Sequence, residues 1–381
     1  MTTIIKWPGG KSSEYKYIKE LIPEYDRYIE PFFGGGAIFF EELGDNPKKR
    51  AVINDLNHEL SLFYKLVKKQ DATFQNYLNQ FQQNWDSMPK FINLIEKELV
   101  DVFKKYSRDK INKEELNKRV NDYLHENIEK FNGLFNEEFS INNQRLFNKI
   151  SKALIAKLNR MKKIEKEKNE KLIKDDIKDN IETGFRSGFY YHFRDILNDY
   201  KLSRITIPEE KFVSIYYFIR EFCYGSMFRY NQKGEFNIPY GGISYNKKDF
   251  KSKIDRLFNP EIKNIFKNTK IYSQDFETLL NNLELTKKDF VFLDPPYDSN
   301  FSTYGGNPFD QKDHKRLAKT LANLNAKFIM IIKNTDFIND LYSNIDTINR
   351  DTFDKKYSYN VKGRNNRKAK HLILYNYKIK S

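Results

Sequence analysis

RYIEPFFGGGA, residues 27–37, decides how the chain is read. A short apolar strand runs into Pro31 and then into three glycines, Gly34 to Gly36. Glycine lets the backbone turn through left-handed conformations and approach a ligand closely. IFFEEL (38–43) then carries helical spacing. RAVINDLNH (50–58) reads as a second strand that ends at Asp55, followed by the helix ELSLFYKLVKK (59–69). Strand, glycine turn, helix, strand and acid in that order form the front half of a doubly wound nucleotide-binding sheet. The loop departs from G-x-G-x-x-G, because Phe39 stands at the third glycine position. Asp55 still keeps the spacing of about twenty residues at which an acid meets ribose hydroxyls.

The rest of the sheet lies at the far end of the chain. TKIYSQDF (269–276), DFVFLDPPY (289–297), KFIMIIKN (327–334) and KHLILYNY (370–377) read as strands, and DQKDHKRLAKTLANL (310–324) as a helix capped by Asp310. Between the halves, from about 70 to 220, Gly and Pro are sparse and apolar residues recur at helical spacing among dense charge. Within it, 85–183 reads as a charge-rich helical extension. Residues 224–246 are Gly- and aromatic-rich, with a hairpin turn expected at Gln232, Lys233 and Gly234.

Composition narrows the partners. The chain has 381 residues and a net charge of +15, which favours a polyanionic partner. Its 32 Phe and 25 Tyr, interleaved with Lys and Arg, suit stacking on bases and suit a core equally. A single Cys, Cys223, excludes a disulfide framework, and the five His do not cluster like metal ligands, so no metal is expected. No segment has the length and apolarity of a bilayer span, and MTTIIKWPGGK lacks a signal-peptide core, so a cytoplasmic protein without a membrane partner is expected. GGKSS (9–13) is not a P-loop, because Ile5 stands where the first glycine is needed.

DPPY, Asp294 to Tyr297, is the strongest local signal. Pro295 and Pro296 fix φ and remove two donors just where a carboxylate and a ring leave a buried strand. Asp294 and the Pro295 carbonyl can accept both hydrogens of an exocyclic amine. Tyr297 can stack on the ring that carries it, worth roughly 1–3 kcal/mol. Such an amine is a poor nucleophile, its lone pair being delocalised into the ring. Two acceptors on its hydrogens return density to the nitrogen, so the carboxylate acts by position and electrostatics.

With KWPGGK (6–11), EPFFGGGA (30–37), INDLN (53–57), FRYNQKGEFNIPYG (228–241), DPPY (294–297) and RKAKHLIL (367–374), the chain resembles the Dam family, the D12 or alpha class of DNA adenine-N6 methyltransferases. The resemblance implies an α/β fold, a Rossmann-like class I methyltransferase sheet with a large inserted helical target-recognition domain. Residues 1–62 and 268–381 would form the catalytic domain, and 63–267 the helical DNA target-recognition domain with a hairpin near 224–246. It implies S-adenosyl-L-methionine as methyl donor, held by Trp7, Lys11, Phe33, Gly34, Asp55, Asp275 and Asp294. Phe33 and Gly34 would line its methionine side, and Asp275, ending the IYSQDF strand, its adenine side. The target adenine would flip from the duplex into the DPPY pocket and be methylated by direct displacement.

Tyr224, Arg229, Tyr230, Asn231 and Pro239 fall on the DNA side of the same resemblance. Arg229 resembles a base-reading Arg suited to guanine O6 and N7, and Tyr224 a wedge into the stack. Double-stranded DNA is the implied partner, and a cognate restriction endonuclease is admitted. Gly225-Ser226-Met227-Phe228-Arg229 replaces the Asn-Gly-Leu-Cys-Arg run common in GATC-specific members, so that target is not carried over. An RNA or cytosine-N4 amino methyltransferase, or an inactive DNA-binding protein, remain as alternatives. Asp294 argues against the cytosine-N4 reading and the intact Lys11, Asp55 and Asp294 set against an inactive one. Residues 298–310 read as a mobile loop over the pocket.

Overall fold

The computed structural model describes residues 1–131, 136–227, 229–297, 309–356 and 368–379. The expected loop at 298–310 lies outside them except for Phe309 and Asp310. The chain divides into two compact units, one of residues 1–71 and 256–381 with Arg229 and Tyr230, the other of residues 72–227 and 231–255. The division falls at Asp71 and Arg256 rather than at 62 and 268. The helices His58–Lys69 and Pro260–Lys267 pack on each other within the sheet unit, with the Phe266 ring against Phe39, Phe40 and Tyr64.

The sheet unit is α/β, as expected. Its strands among the described residues are β1 Arg27–Glu30, β2 Arg50–Asn54, β3 Thr269–Tyr272, β4 Asp289–Leu293, β5 Lys327–Lys333, β6 Asn349–Lys356 and β7 Lys368–Tyr375. They lie in the order β3-β2-β1-β4-β5-β7-β6, the first five parallel and β7 antiparallel to both neighbours. Ile29, Val52, Val291, Leu293, Phe328, Met330 and Ile332 bury one face of this sheet. Such near-continuous apolar runs are what a parallel sheet covered on both faces requires. Arg27 and Asp289 are paired across β1 and β4 and bond twice, at 2.8 and 2.9 Å, which pins the register of strands far apart in sequence.

Three strands stop earlier than their sequence suggests. β2 ends at Asn54, and Asn57 caps the next helix by accepting from the Leu60 amide. β4 ends at Leu293, before the prolines. β3 ends at Tyr272, so Asp275 does not end a strand; it is the N-cap of the helix Phe276–Asn282. Short polar side chains that bond nearby amides favour caps over strands. Asp310 caps the helix Gln311–Ala322 as expected, in a reciprocal capping box with Asp313. The helix Asp336–Ser343 and strand β6 were not expected.

The second unit is built on the helices Ala72–Ser107, Lys113–Glu126, Asn143–Lys168, Lys174–Lys201 and Glu209–Phe222. Aromatic rings fill its core, with Phe81 stacked 4.8 Å from Phe218 and Trp85 4.3 Å from Phe222. Residues 85–183 are therefore no appendage, because Trp85, Ile92, Leu154 and Ile181 are all buried. The turn at Gln232 to Gly234 is present, closed by the Asn231 amide on the Glu235 carbonyl at 2.9 Å. Among the described residues no helix is long and apolar enough to cross a membrane.

Candidate active site

The carboxyl ends of β1, β2 and β4, with the turn after β3, open into one cavity. The chain runs from β1 to β2 on one side and from β4 to β5 on the other, so the cavity sits where the strand order reverses, the usual ligand position in open α/β sheets. Trp7, Lys11, Phe33, Gly34, Asp55, Asp275, Asp294, Pro295, Pro296 and Tyr297 all line it. Every catalytic and cofactor residue expected from the sequence thus meets in one place.

The glycine turn after β1 explains its own composition. Gly34 and Gly36 sit at φ +50° and +66°, in the left-handed region. A Cβ on Gly34 would come within 2.8 Å of the Trp7 ring, and one on Gly36 would overlap Phe33. The Phe33 ring is itself buried against Tyr64, 4.8 Å away, and the Tyr64 hydroxyl donates to the Gly34 carbonyl at 2.9 Å. Asp55 accepts from the Gly34 amide on one oxygen and from the Asn57 amide on the other, both at 2.8 Å. Burial pushes its carboxyl up to about 6, although both amides pull the other way.

Two buried side chains here escaped the sequence reading. Asn54 bonds the Pro31 carbonyl at 3.0 Å, the Gln274 carbonyl at 2.9 Å and the Gln274 amide at 3.0 Å, tying the ends of three strands together. Glu30 is buried beside the cavity and accepts from the Tyr28 hydroxyl at 2.8 Å. Desolvation holds its carboxyl well above the usual range, and the Asp294 and Asp55 charges add to this. The signal available was the position of Glu30 at the end of an apolar strand, directly before the glycine turn.

At the β4 end, the ammonium of buried Lys11 lies 2.6 Å from Asp294 Oδ2, donates to the Gly9 carbonyl at 3.0 Å and stands 5.1 Å from the Tyr297 ring centre. The Tyr297 ring in turn meets the buried imidazole of His371 edge-on, with centres 5.6 Å apart. A carboxylate, the Gly9 carbonyl and an aromatic ring therefore converge around one nitrogen. The chain's model match is to the D12 class N6 adenine-specific DNA methyltransferases, over residues 7–184 and 157–358.

The chain belongs to this family.

It is thus a site-specific DNA adenine-N6 methyltransferase, and the RNA, cytosine-N4 and inactive readings fall away. It is 31% identical to the type II methyltransferase M.CviBI of Paramecium bursaria Chlorella virus NC1A, over 99% of this chain and 100% of that one. It is 26% identical to the type II methyltransferase M.MjaIII of Methanocaldococcus jannaschii, over 89% and 86% of the two chains. The retron Ec67 DNA adenine methylase of Escherichia coli matches at 32% identity over 43% and 54%.

None of the residues expected on the DNA side is among those that line this cavity. Tyr224 is 55% exposed, and its amide donates to the Pro239 carbonyl at 2.8 Å. Arg229 is exposed and Tyr230 half-buried. The Asn231 side chain accepts from the Lys233 and Glu235 amides, each at 3.0 Å, and so organises the turn.

Proposed function

We propose that S-adenosyl-L-methionine is the methyl donor and that a flipped adenine is held by Asp294, the Pro295 carbonyl and Tyr297. The observation that carries this is the Lys11 ammonium on Asp294, 2.6 Å from its carboxylate and 5.1 Å from the Tyr297 ring centre. It marks a nitrogen site bounded by an acceptor and a ring, which an incoming N6 would take over. The residues around the glycine turn fit the donor. Gly34 and Gly36 let the Trp7 and Phe33 rings close on the turn where a Cβ would collide with them, and Asp55 accepts from the Gly34 amide beside it. When bound, S-adenosyl-L-methionine supplies an electrophilic sulfonium methyl.

The protein's part is placement. Asp55 accepts from the donor's ribose hydroxyls, Trp7, Phe33 and Gly34 bound its methionine end, and Asp275 lies on its adenine side. Asp294 and the Pro295 carbonyl accept hydrogen bonds from the two N6 hydrogens, raising density on the nitrogen, and one of these protons leaves to solvent once the nitrogen is methylated. Tyr297 keeps the base flat and Pro296 keeps the turn rigid. The test is transfer of labelled methyl to duplex DNA, single-stranded DNA and RNA. Asp294→Ala loses nearly all transfer to duplex adenine, and a folded variant with normal turnover overturns the reading.

Tyr224, Asn231 and Pro239 of the helical unit, with Arg229 and Tyr230 of the sheet unit, are proposed to recognise the DNA target. Arg229→Ala then relaxes discrimination at one base pair by roughly 1–3 kcal/mol, whereas a phosphate contact would weaken all sites alike. The names of two relatives matched over most of both chains, both type II methyltransferases, support a cognate restriction endonuclease as partner. Modification-aware sequencing of host DNA would show the methylated site, and that endonuclease should cut the same site when unmethylated.

A further inference from the structure

Arg316, on the helix Gln311–Ala322, gathers three carboxylates. Its Nε lies 2.9 Å from Glu277 Oε2, one terminal nitrogen 2.9 Å from Asp313 Oδ1 and the other 2.7 Å from Asp275 Oδ1. The guanidinium also stands 5.0 Å from the ring centre of Phe276. Asp275, Phe276 and Asp313 line the cavity, whereas Arg316 does not. The arginine therefore acts on any ligand only through its neighbours.

The bonding pattern on Asp275 is one-sided. Oδ1 accepts from Arg316 and from the Glu277 and Thr278 amides, at 2.7, 3.0 and 3.3 Å. None of these bonds falls on Oδ2, which is the acceptor that Asp275 can offer a ligand. Beside it, Phe276 packs with Phe32 at 5.3 Å and with Phe309 at 5.8 Å, and Phe32 meets Phe309 edge-on at 5.6 Å. All three rings line the cavity. A carboxylate oxygen beside an aromatic wall selects a flat ring bearing an amine donor. An unclamped Asp275 could rotate about χ1 and χ2 and lose that register. The guanidinium fork is suited to prevent this, because it bonds several planar carboxylates at once.

We propose that Arg316 is a positioning residue for the purine end of the methyl donor, clamping Asp275 so that its second oxygen reads the 6-amino group. This rests on S-adenosyl-L-methionine being the donor. Binding is measured calorimetrically with S-adenosylhomocysteine and with S-inosylhomocysteine, in which a 6-oxo group replaces the amine. The wild-type protein prefers the adenosyl ligand. Arg316→Met weakens the adenosyl ligand by roughly tenfold or more, the scale of a lost bond to a charged group, and changes the inosyl ligand little. The preference collapses, the donor KM rises, and kcat at saturating donor stays near wild type. Arg316→Lys, which can hold one carboxylate, recovers part of the preference.

Asp275→Asn covers the case in which the arginine variants do not fold. It keeps an oxygen for the helix cap and turns the free edge into a donor, so the preference moves toward the inosyl ligand. Unchanged preference in Asp275→Asn, or an Arg316→Met protein with the wild-type ratio, whether or not both affinities fall together, overturns the proposal. A wild-type protein that binds neither ligand overturns the donor reading itself, and this inference with it.

Discussion

Lys11 and Asp294 stand 283 positions apart in sequence and meet at 2.6 Å, the ammonium side chain only 4% exposed and the carboxylate 21%. Buried Glu30 is close enough for the Asp294 charge to raise its pKa. Removing the cation therefore leaves acidic groups facing one another in a poorly solvated site. Lys11→Met should cost about 3 kcal/mol of stability, the scale of a broken buried pair. Urea unfolding measures it. In a double-mutant cycle, Asp294→Asn should recover part of that loss, and simple additivity would show that the pair is not coupled.

Tyr297 is expected to act through its ring. Tyr297→Phe should keep most of the turnover, while Tyr297→Ala loses roughly ten- to a hundredfold, the scale of base stacking. Since His371 braces the Tyr297 ring edge-on, His371→Leu should lower kcat with little change in donor KM. Equal losses in the Phe and Ala variants would place the function of Tyr297 in its hydroxyl instead.

The pH dependence of donor binding follows from Asp55. Its carboxyl is raised from 3.8 to about 6 by burial, so in the free protein ionising it costs folding stability as pH rises through that window. Ribose hydroxyls bond an ionised carboxylate more strongly than a neutral carboxyl. Donor affinity should therefore fall as pH drops below about 6, with proton release on binding near that pH. Calorimetry in two buffers of different ionisation enthalpy counts the proton. Asp55→Asn should bind weakly at every pH and release none.

The helical unit can be tested without cutting it. Deleting residues 85–183 would remove Trp85 and Leu154 from its core, so unfolding would hide any loss of DNA contact. Lys163 and Lys166 are exposed near the end of the helix Asn143–Lys168. If both touch phosphates, replacing them with Gln should lower the slope of log affinity against log salt by about two. An unchanged slope would assign this end of the unit to another role.

The sequence made legible those parts in which local chemistry and fold agree. The glycine turn, Asp55 and DPPY each follow an apolar strand, and all of them line the cavity. β6, NRDTFDKK, escaped because it is an edge strand rich in charge, which blunts pairing with other chains but hides the alternation that marks a strand. Asp275 was placed in a strand because KIYSQDF alternates, whereas the geometry makes it a helix cap. Arg316 and His371 reach the site only through packing between distant segments, which no local pattern encodes.

The pairing of β1 with β4 also sets an order of events on the ribosome. Arg27–Ile29 must wait for Asp289–Val291 before the central pair of the sheet can form, so the first 71 residues emerge with their partner strand still untranslated. Residues 72–227 and 231–255, with their aromatic core, are made in the interval. The helical unit is therefore expected to fold first on the nascent chain, while an incomplete apolar sheet stays exposed to chaperones until synthesis passes β5. Translation stalled in that gap would yield a folded helical unit on a chain whose sheet unit is unfinished.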